Sequence, residues 1–600
     1  MENKKTKIIS IASIIALALT LVTATYAYFM AQTGEGKSTD IKINANTVDT
    51  FTFETGSALN LSLNQENFAS GKGNQTGTTF AKAMLTANNK TNTATEHYYL
   101  YLNISNNTFT YSIDNNTPEI LLSIKDGSNN EITTLTGLTY KTVTDGKGAT
   151  LKGFDITKKS GLITILNNRE ITTTSSKTEQ WNVTVTFVNY NSNQAGNAGK
   201  NFTAKLMIQK EKIPTVLSDV CTSGNNLATC ITTLSNKSEP SIVNIYHHTS
   251  SLTNGAGDNS YRYAGGDYVL TDAGKATGAT MMIGYDNTVT TALIDFYCDG
   301  TKQFVGYASS CSTHYYLIKG DTTQYQTYNE VLNASVEKGY LTKDNVKNFV
   351  CFGSDASPCP TDNLYRIIGV FNNQVKLVKW DYAKSSLLGT DGDFSQEYSY
   401  YFSGEQGESP SSNSMYYWNN AGTNTWSESN LNKINLNTNF VNNIGTTWAE
   451  KIATTTWKAG GGTSANIQTS IPKTAYQYEV GANASTTTVD AKIGLMYASD
   501  YYYSASPSAW TLVGYNSSDA AKDYRFSKGE NWLYGGGRDW TISRNSDNSY
   551  NAFFVGNFGD LYYDYRVNNL GFGVRPSFSL LSSTAYVSGA GSMSDPVRIN

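Results

Sequence analysis

The sequence predicts a mainly β protein with some α structure, in which an N-terminal β-sandwich precedes an α+β domain. In residues 181–187, apolar side chains alternate with Asn and Thr, which is the pattern of a strand with one face on a core. Turn signals such as Asp126-Gly127 separate similar segments at intervals suited to a sandwich. The composition then changes, because eight of the nine tryptophans lie between residues 380 and 540. This change favours a second domain of a different kind.

Length and charge limit the classes of function. A chain of 600 residues exceeds a single hydrophobic core, and two to four domains are expected at about 150 residues each. The formal net charge is -4, and only 16% of the residues are charged. A nucleic-acid-binding protein needs clustered Lys and Arg to neutralise phosphates, and no such cluster follows the first seven residues. Nucleic acid is therefore not an expected partner.

Residues 1–27 have the features of an export signal peptide. Three lysines precede a mostly apolar run over residues 8–22, and small residues flank the expected cut before Tyr28. The protein is therefore predicted to be secreted or held at the cell surface. The alternative is a retained membrane anchor, although the run is short for crossing about 30 Å of hydrocarbon. Contact with a membrane is expected only through this segment, if it is not cleaved.

All six cysteines follow residue 220 and occur as close neighbours. Sequential pairing is the simplest of fifteen connectivities and agrees with export, whereas the alternative is six buried or free thiols. Each closed loop is short, so each bridge is expected to contribute about 2–3 kcal/mol by restricting the unfolded chain. The expected disulfides join Cys221 to Cys230, Cys298 to Cys311, and Cys351 to Cys359.

The first 210 residues contain one Trp and no Cys, and strands are predicted at residues 97–104, 119–124 and 181–188. Two features stand out: the signal ends in Ala24-Thr25-Tyr26-Ala27, and the strand at 181–188 runs on through an Asn-rich segment. Together they resemble the TasA and camelysin family of exported Gram-positive matrix proteins. The resemblance implies a jelly-roll-like β-sandwich over residues 28–210, which in some members assembles into fibres by strand exchange.

The remaining chain is expected to contain a linker and one further domain. Residues 211–235 are interpreted as a linker with a short helix closed by a disulfide. The second domain is expected over residues 236–600, with an insertion at about 269–347, because the run after Tyr261 finds its natural continuation only at Asn348.

Few regular elements are predicted in this second domain. A helix is expected at residues 325–340 in the insertion, where apolar residues recur near helical spacing. Two strands are expected at 365–371 and 374–380, and two helices at 427–436 and 440–451. Long loops rich in Gly, Ser and Asn follow before the closing strands.

Four runs near the end of the chain, at residues 492–501, 531–534, 540–543 and 573–576, carry a second resemblance. They resemble the C-type-lectin superfold in its formylglycine-generating-enzyme-like branch, as found in secreted proteins of gut Gram-positive bacteria. The resemblance implies that residues 236–600 form an α+β C-type-lectin-like domain with many Trp anchors.

The residue types argue against catalysis. Enzymes of that superfold use paired cysteines with copper or three histidines with iron, whereas no Cys follows residue 359 and no His follows residue 314. No Gly-x-Ser-x-Gly or His-Glu-x-x-His motif occurs. The acidic residues at 391–408 leave glycoside hydrolysis open, although solvated carboxylates are expected there. Within them, Asp391-Gly392-Asp393 could supply oxygen ligands but lacks the ligand spacing of a calcium loop. We expect no enzymatic activity, no metal and no other cofactor.

A stretch near the C-terminus has the residue types of binding loops, because Tyr gives a large contact area while Ser, Asn and Gly give adaptable hydrogen bonds. The alternative is that the whole chain is rich in these residues. Trp532, Trp540 and Arg575 are predicted to be structural, Arg575 as a lock that satisfies loop carbonyls. The predicted ligand-binding residues are Tyr550, Asn551, Asn557, Tyr562, Tyr563 and Tyr565. Those expected to be buried beneath them are Trp540, Ile542, Phe554, Val555, Leu561, Val567 and Phe572.

These observations predict an exported cell-surface or matrix protein whose C-terminal lectin-like domain acts in adhesion or recognition. Its expected partner is a glycan or a surface protein of another cell, with sugar rings or protein side chains packed against Tyr and Trp. The alternative is a structural biofilm-matrix or filament protein that self-associates through the N-terminal sandwich and binds no specific ligand.

Overall fold

The computed structural model describes residues 49–63, 72–88, 92–114, 116–266, 268–279, 281–283, 290–303, 311–343, 346–401, 410–511, 531–535, 538–556 and 559–600. The protein is mostly β, with 38% strand and 17% helix, as the sequence predicts. It divides into two compact units, Met1–Lys212 and Ile213–Asn600. The predicted signal peptide lies outside the described residues.

Two antiparallel sheets build the first unit in a β-sandwich-like arrangement. A six-stranded sheet has the order β1-β3-β9-β5-β7-β6, and a four-stranded sheet has the order β2-β10-β4-β8. A 3-10 helix at Ala195–Asn197 precedes the last strand. The strands are β1 (Thr50–Thr55), β2 (Leu59–Ser62), β3 (Gln75–Thr86), β4 (Ala94–Asn107), β5 (Ile120–Asp126), β6 (Tyr140–Thr144), β7 (Thr150–Asp155), β8 (Gly161–Thr173), β9 (Ser176–Phe187) and β10 (Asn201–Gln209).

The core of this unit follows from the alternation in β9. Trp181, Val183 and Phe187 are buried, whereas Asn182 between them is exposed. These side chains share one hydrophobic cluster with apolar residues of both sheets, such as Leu102 of β4. Because burial of each large apolar side chain contributes about 1.5–3 kcal/mol, this face fixes the register of the central strand.

The second unit contains a central antiparallel sheet with the order β11-β12-β20-β21-β29, in which β19 also pairs with β20. Smaller sheets surround it. The strands are β11 (Ile245–His247), β12 (Tyr261–Tyr263), β13 (Tyr268–Leu270), β14 (Met281–Ile283), β15 (Ala292–Cys298), β16 (Thr301–Gln303), β17 (His314–Ile318), β18 (Leu341–Lys343), β19 (Phe349–Cys351), β20 (Leu364–Phe371), β21 (Gln374–Lys379), β22 (Phe394–Tyr401), β23 (Pro410–Tyr416), β24 (Thr455–Lys458), β25 (Thr488–Ala491), β26 (Asp539–Arg544), β27 (Ala552–Val555), β28 (Leu561–Tyr562), β29 (Ser577–Ser579), β30 (Tyr586–Ser588) and β31 (Arg598–Ile599).

Helices of the second unit are short. No helix formed by the described residues is long and apolar enough to cross a membrane. A π-helix spans Leu431–Phe440, and 3-10 helices occupy Leu217–Asp219, Thr361–Asn363 and Pro507–Thr511. The α-helices are α1 (Leu227–Lys237), α2 (Pro240–Val243), α3 (Asp272–Ala276), α4 (Tyr328–Glu337), α5 (Ser385–Leu388), α6 (Val441–Asn443), α7 (Thr446–Ala449), α8 (Ser464–Ile467), α9 (Pro472–Glu479) and α10 (Ala498–Tyr503).

The segment between β12 and β19 leaves the central sheet and returns to it. β12 pairs with β20 where Arg262 faces Gly369, and β19 pairs with β20 where Cys351 faces Leu364. Since β21 occupies the opposite edge of β20, β12 and β19 lie one after the other along the same edge. The intervening chain, at the position of the predicted insertion, builds its own hydrophobic cluster around Phe296.

Three disulfides join the cysteines in sequential pairs, as predicted. Cα–Cα distances are 5.7 Å for Cys221–Cys230, 5.3 Å for Cys298–Cys311 and 5.9 Å for Cys351–Cys359. Disulfides form and persist in oxidising compartments, so these pairs fit an extracellular environment.

The helices around residue 435 differ from those predicted, and Asn side chains in this region form hydrogen bonds with distant parts of the chain. The helix predicted at 427–436 is instead a π-helix that begins at Leu431, and the helix predicted at 440–451 is divided into the short α6 and α7. Asn435 lies on the π-helix, and its side chain donates to the carbonyl oxygens of Leu388 and Asp391. Asn437 likewise donates to the carbonyl oxygen of Ile493. Asn437 also donates locally to the carbonyl oxygen of Asn432 at 3.0 Å, and such local bonds compete with a regular α-helical pattern. Sequence periodicity reveals neither kind of bond.

Two other helices start where a side chain caps them. The helix predicted at 325–340 is shorter and forms α4, for which Thr327 and Glu330 make a capping box. In the linker, a 3-10 turn is followed by α1, whose N-terminus is capped by Asn226 through the backbone N–H of Thr229 at 2.9 Å.

Candidate binding surface

The candidate surface is built on the antiparallel sheet formed by β26, β27 and β28. Trp540 packs beneath it, with ring centroids 5.7 Å from Phe554 and 4.4 Å from Phe572. Its indole N–H donates to the carbonyl oxygen of Tyr416 at 2.8 Å. The sheet therefore rests on an aromatic core. All the residues predicted to be buried there are buried, namely Trp540, Ile542, Phe554, Val555, Leu561, Val567 and Phe572.

A buried ion pair holds the start of β26. Arg575 Nε lies 2.6 Å from Asp539 Oδ2, and Arg575 Nη2 donates to the carbonyl oxygen of Leu533 at 2.8 Å. Burial raises the pKa of Asp539 to about 6 even though Arg575 lowers it, because removing the carboxylate from water outweighs the attraction. Arg575 thus occupies a structural position, with a carboxylate as well as a loop carbonyl as partners.

Trp532 is also placed within the fold rather than on the surface. Its indole N–H donates to the carbonyl oxygen of Tyr263 at 3.0 Å, and the guanidinium of Arg366 lies 4.8 Å from its ring centroid. Because an indole buried among partners satisfies its one donor, Trp532 ties β12 to the segment before β26.

The loop between β26 and β27, residues 545–551, is clamped by a residue that the sequence did not single out. Asn424 is buried, and its Nδ2 lies 2.9 Å from the carbonyl oxygen of Asn545, 2.5 Å from that of Asn548 and 2.8 Å from that of Asn551. The backbone N–H of Asn424 donates to the carbonyl oxygen of Ser549 at 2.7 Å. The sequence separation exceeds 120 residues, so no local pattern could have indicated this clamp.

Within the loop, some Asn side chains serve the backbone. Asn545 Oδ1 accepts from the N–H of Asp547 at 3.0 Å, and Asn548 Oδ1 accepts from the N–H of Tyr550 at 2.9 Å. These turns are typical of Asn, which mimics a backbone turn with its own side chain. The side chains left exposed by this arrangement are Ser546, Asp547, Ser549 and Tyr550.

Asn551 is 7% exposed, which corrects the prediction that it faces outwards. Its carbonyl oxygen accepts from the N–H of Asn545 at 3.0 Å, and it pairs with Arg566 in an antiparallel bridge. Asn551 therefore closes the loop instead of presenting a ligand contact. The composition could not distinguish it from exposed Asn residues. Asn557, another predicted binding residue, lies outside the described residues.

Three of the predicted tyrosines are half-buried. Tyr562 stacks on Phe554 with ring centroids 6.0 Å apart, and Tyr563 lies 5.9 Å from Phe553. Tyr565 lies 5.8 Å from Phe572. All three pack against the main hydrophobic cluster of the second unit. They are therefore less exposed than predicted from the sequence. Only part of each ring is left for contact with a ligand.

Among the predicted binding residues that the structure describes, Tyr550 is the most exposed, with 40% of its surface accessible. The guanidinium of Arg566 lies 4.6 Å from its ring centroid, in cation–π contact. The carbonyl oxygen of Tyr550 accepts from the N–H of Val567 at 2.9 Å, which joins the loop to the following segment. Leu570, also 40% exposed, follows in the same segment.

A neighbouring turn extends this surface. The N–H of Asn419 lies 3.2 Å from the carbonyl oxygen of Val567. Gly422 adopts a φ of +83°, and a Cβ there would meet Asn568 Nδ2 at 2.9 Å, so a side chain at this position would displace Asn568. We call seven exposed residues of these neighbouring segments the Tyr550 face. They are Asn420, Thr423, Ser549, Tyr550, Arg566, Asn568 and Leu570.

The acidic residues at 391–408 do not all have the solvated state that the sequence predicts. Asp393 is buried, and its carboxylate accepts from the N–H of Leu431 at 2.7 Å and of Asn420 at 3.1 Å. Asp393 thus anchors the start of the π-helix, which corrects the expectation for this residue. Glu405 and Glu408 lie outside the described residues.

A separate open cleft of about 460 Å³ lies between the π-helix and β25. Two of its polar side chains are already engaged, since Asn437 donates to Ile493 and Lys492 donates to the carbonyl oxygen of Ala449 at 2.6 Å. Within the described ranges, no group of three or more His, Cys, Asp and Glu side chains is placed to hold a metal ion. We take the Tyr550 face as the candidate for ligand contact because it exposes an aromatic ring beside a guanidinium group.

No protein-family model matches this chain, and none of the curated proteins matches it.

Proposed function

We propose that this protein is an exported cell-surface or matrix protein whose C-terminal unit binds a glycan or a surface protein of another cell through the Tyr550 face. The supporting observation is that an exposed Tyr stands on a loop whose backbone is held by buried Asn424. Binding then requires little ordering of the loop, and this lowers the entropic cost of association. The same unit is proposed to act by recognition and not by catalysis.

The chemistry of the Tyr550 face suits either ligand class. Tyr and Arg are enriched among residues that dominate binding energies, and Tyr550 and Arg566 lie in direct contact. An aromatic ring can stack on a sugar ring, while Asn568 and Ser549 supply adaptable hydrogen bonds. Leu570 adds exposed apolar area to the face.

The finer fold assignments belong to the same proposal. The ten described strands of the first unit, arranged in two facing sets, are compatible with the jelly-roll-like sandwich that the TasA and camelysin resemblance implies. The short helices, central antiparallel sheet and long loops of the second unit are compatible with the C-type-lectin-like domain. We propose both assignments on the residues that carry the two resemblances.

Binding of the exported chain to arrays of glycans and of bacterial and host surface proteins tests this function. We expect selective binding by the wild type and a loss of affinity of at least about tenfold in Tyr550→Ala, as is common for a central aromatic contact. Leu581→Ala is the matched control, because Leu581 is 41% exposed but lies outside the Tyr550 face. Equal binding by both variants would show that this face is not the site.

A second candidate function is a structural matrix or filament protein that self-associates through the first unit. The observation that favours it is the open edges of the two sheets, formed in the described residues by β1, β6, β2 and β8. Unpaired edge strands can add strands from another chain. Sedimentation of the exported chain over a range of concentrations distinguishes the two, since assembly without any ligand binding would favour this candidate.

A further inference from the structure

A lysine and an aspartate from distant parts of the chain are in contact inside the second unit. Lys376 of β21 places Nζ 2.5 Å from Oδ2 of Asp500, which lies on α10. Both side chains are buried, 9% and 3% exposed. The atom that the amine could attack is the carboxyl carbon of Asp500, to which Oδ2 is bonded. The distance from Nζ to this carbon therefore exceeds the distance to Oδ2 by at most about one covalent bond length.

Aromatic rings surround the side-chain nitrogen of Lys376. Its Nζ lies 4.6 Å from the ring centroid of Tyr497, 5.3 Å from Trp457 and 5.8 Å from Phe371. Burial among these rings lowers the pKa of Lys376, although the charge of Asp500 opposes this effect. A neutral amine is a nucleophile, whereas an ammonium group is not.

Donor groups surround the carboxyl group of Asp500. The backbone N–H of Tyr497 donates to Oδ2 at 2.9 Å, and Arg262 Nη1 lies 3.6 Å from Oδ1. Arg262 is itself buried. Donors fixed in this way in a dry site stabilise the negative charge that develops on a carboxyl oxygen when its carbon is attacked.

A third ionisable group, Glu479, completes the cluster. Glu479 is buried at the end of α9, and its charge acts on Lys376. It accepts from the backbone N–H of Ala498 at 3.0 Å and of Ser499 at 2.8 Å, next to Asp500 in the chain. Burial raises the pKa of Glu479, although its neighbouring donors oppose this effect.

From this geometry we propose that Lys376 and Asp500 become joined by an intramolecular amide bond. The amine nitrogen of Lys376 bonds to the carboxyl carbon of Asp500, and a carbon–oxygen bond of that carboxyl group breaks. The oxygen leaves as water, and the ion pair of Lys376 and Asp500 supplies both of its hydrogens while one hydrogen stays on the amide nitrogen. No oxidant, reductant or further reactant is needed, since the starting groups together contain the atoms of the amide and of one water molecule.

Such a bond would connect β21 to α10 across 124 residues of sequence. A cross-link that closes a long loop restricts the unfolded chain more than one that closes a short loop, and an amide is not reduced by thiols. The three disulfides each close short loops, with separations of 9, 13 and 8 residues. The amide would therefore be a covalent cross-link between residues far apart in the sequence. This proposal does not depend on the function proposed for the Tyr550 face.

Mass spectrometry of the fully reduced protein tests the amide directly. We expect a mass about 18 Da below that of the unlinked chain with the same termini, the mass of one water molecule. A protease digest is expected to yield one branched peptide that contains both Lys376 and Asp500. Recovery of the two residues only in separate, unmodified peptides would overturn the proposal.

Two variants give the matched comparison. Lys376→Met removes the nucleophile and is expected to restore the full mass, whereas Lys492→Met removes a lysine that bonds a carbonyl oxygen elsewhere and is expected to keep the deficit. A deficit that persists in Lys376→Met would assign the lost water to another position and overturn the proposal. If Lys376→Met does not fold, the digest of the wild type still decides the question.

Discussion

Arg575 and Asp539 face each other as an ion pair from which water is excluded, with side chains 4% and 1% exposed. The pair lies where the chain enters β26 and leaves towards β29. Through Leu533 it also holds the segment that contains Trp532. The strands that carry the Tyr550 face therefore start from an electrostatic anchor beneath the surface.

Replacing Arg575 with Met is expected to lower the free energy of unfolding of the second unit by about 3–5 kcal/mol, because Asp539 would remain buried without its partner. Chemical denaturation followed by Trp fluorescence measures this, since eight of the nine tryptophans lie in that unit. Arg566→Met is the control. Arg566 is exposed, and its loss should change the free energy of unfolding by no more than about 0.5 kcal/mol. Equal effects of the two substitutions would contradict the anchor.

Asn424→Ala is expected to lower the free energy of unfolding by about 1–3 kcal/mol, because three carbonyl oxygens of the 545–551 loop, two of them in buried hydrogen bonds, would lose their shared donor. The loop should also exchange its amide hydrogens faster, while β9 of the first unit should not change. Hydrogen exchange measured by mass spectrometry reports both regions. Asn420→Ala, at an exposed neighbouring position, should leave the exchange of the loop unaltered. An unchanged loop in Asn424→Ala would show that Asn424 does not hold it.

The burial of Trp181 could be predicted from the sequence, whereas the contacts of Asn424 could not. Burial of Trp181 follows from strict alternation, since a strand with one face on a core repeats every two residues. The disulfides were predictable because each pair is close in the chain. Asn424 contacts residues more than 120 positions away through its amide group, and no local period marks such a contact.

The same reason explains the errors at Asn551 and at the half-buried tyrosines. Asn551 and Ser549 have similar polarity, yet one pairs with Arg566 and the other is exposed. Tyr562 has an apolar ring and a polar tip, so it suits either a core or a surface. Which role such a residue takes is set by neighbours such as Phe554, and these are fixed only when the chain is folded.

His248 is expected to make the second unit sensitive to acid. Burial, and then the positive charge of Arg262, hold the pKa of His248 far below its ordinary value, while the N–H of Ala256 donates to Nδ1 at 3.0 Å. The folded state thus binds fewer protons than the unfolded state once the pH is below about 6.5. The stabilisation given by the neutral ring is present above that pH and is lost as the pH falls.

Denaturation at a series of pH values checks this effect. Below about pH 6.5, the wild type should lose stability relative to His248→Gln. The difference between their free energies of unfolding should change by up to about 1.4 kcal/mol per pH unit. Asp539 has the opposite effect, because its pKa is raised to about 6 and its protonation favours the folded state as the pH falls. Comparison with His248→Gln cancels that contribution, since both proteins contain Asp539. A difference that does not vary with pH would contradict the neutral state of His248.

The disulfide between Cys298 and Cys311 is expected to stabilise the inserted segment and not the rest of the second unit. It lies in the hydrophobic cluster around Phe296, which is separate from the main cluster of the second unit. Replacing both cysteines with Ser should cost the inserted segment about 2–4 kcal/mol, because the unfolded loop of 13 residues gains freedom. Limited proteolysis should then cut between β13 and β18 sooner, while binding by the Tyr550 face is unchanged.

Replacing Cys351 and Cys359 with Ser provides the contrast, because Cys351 lies in β19 of the central sheet and its loss should lower the stability of the whole unit. Early cleavage throughout the second unit after loss of Cys298–Cys311 would show that the insertion and the central sheet unfold together.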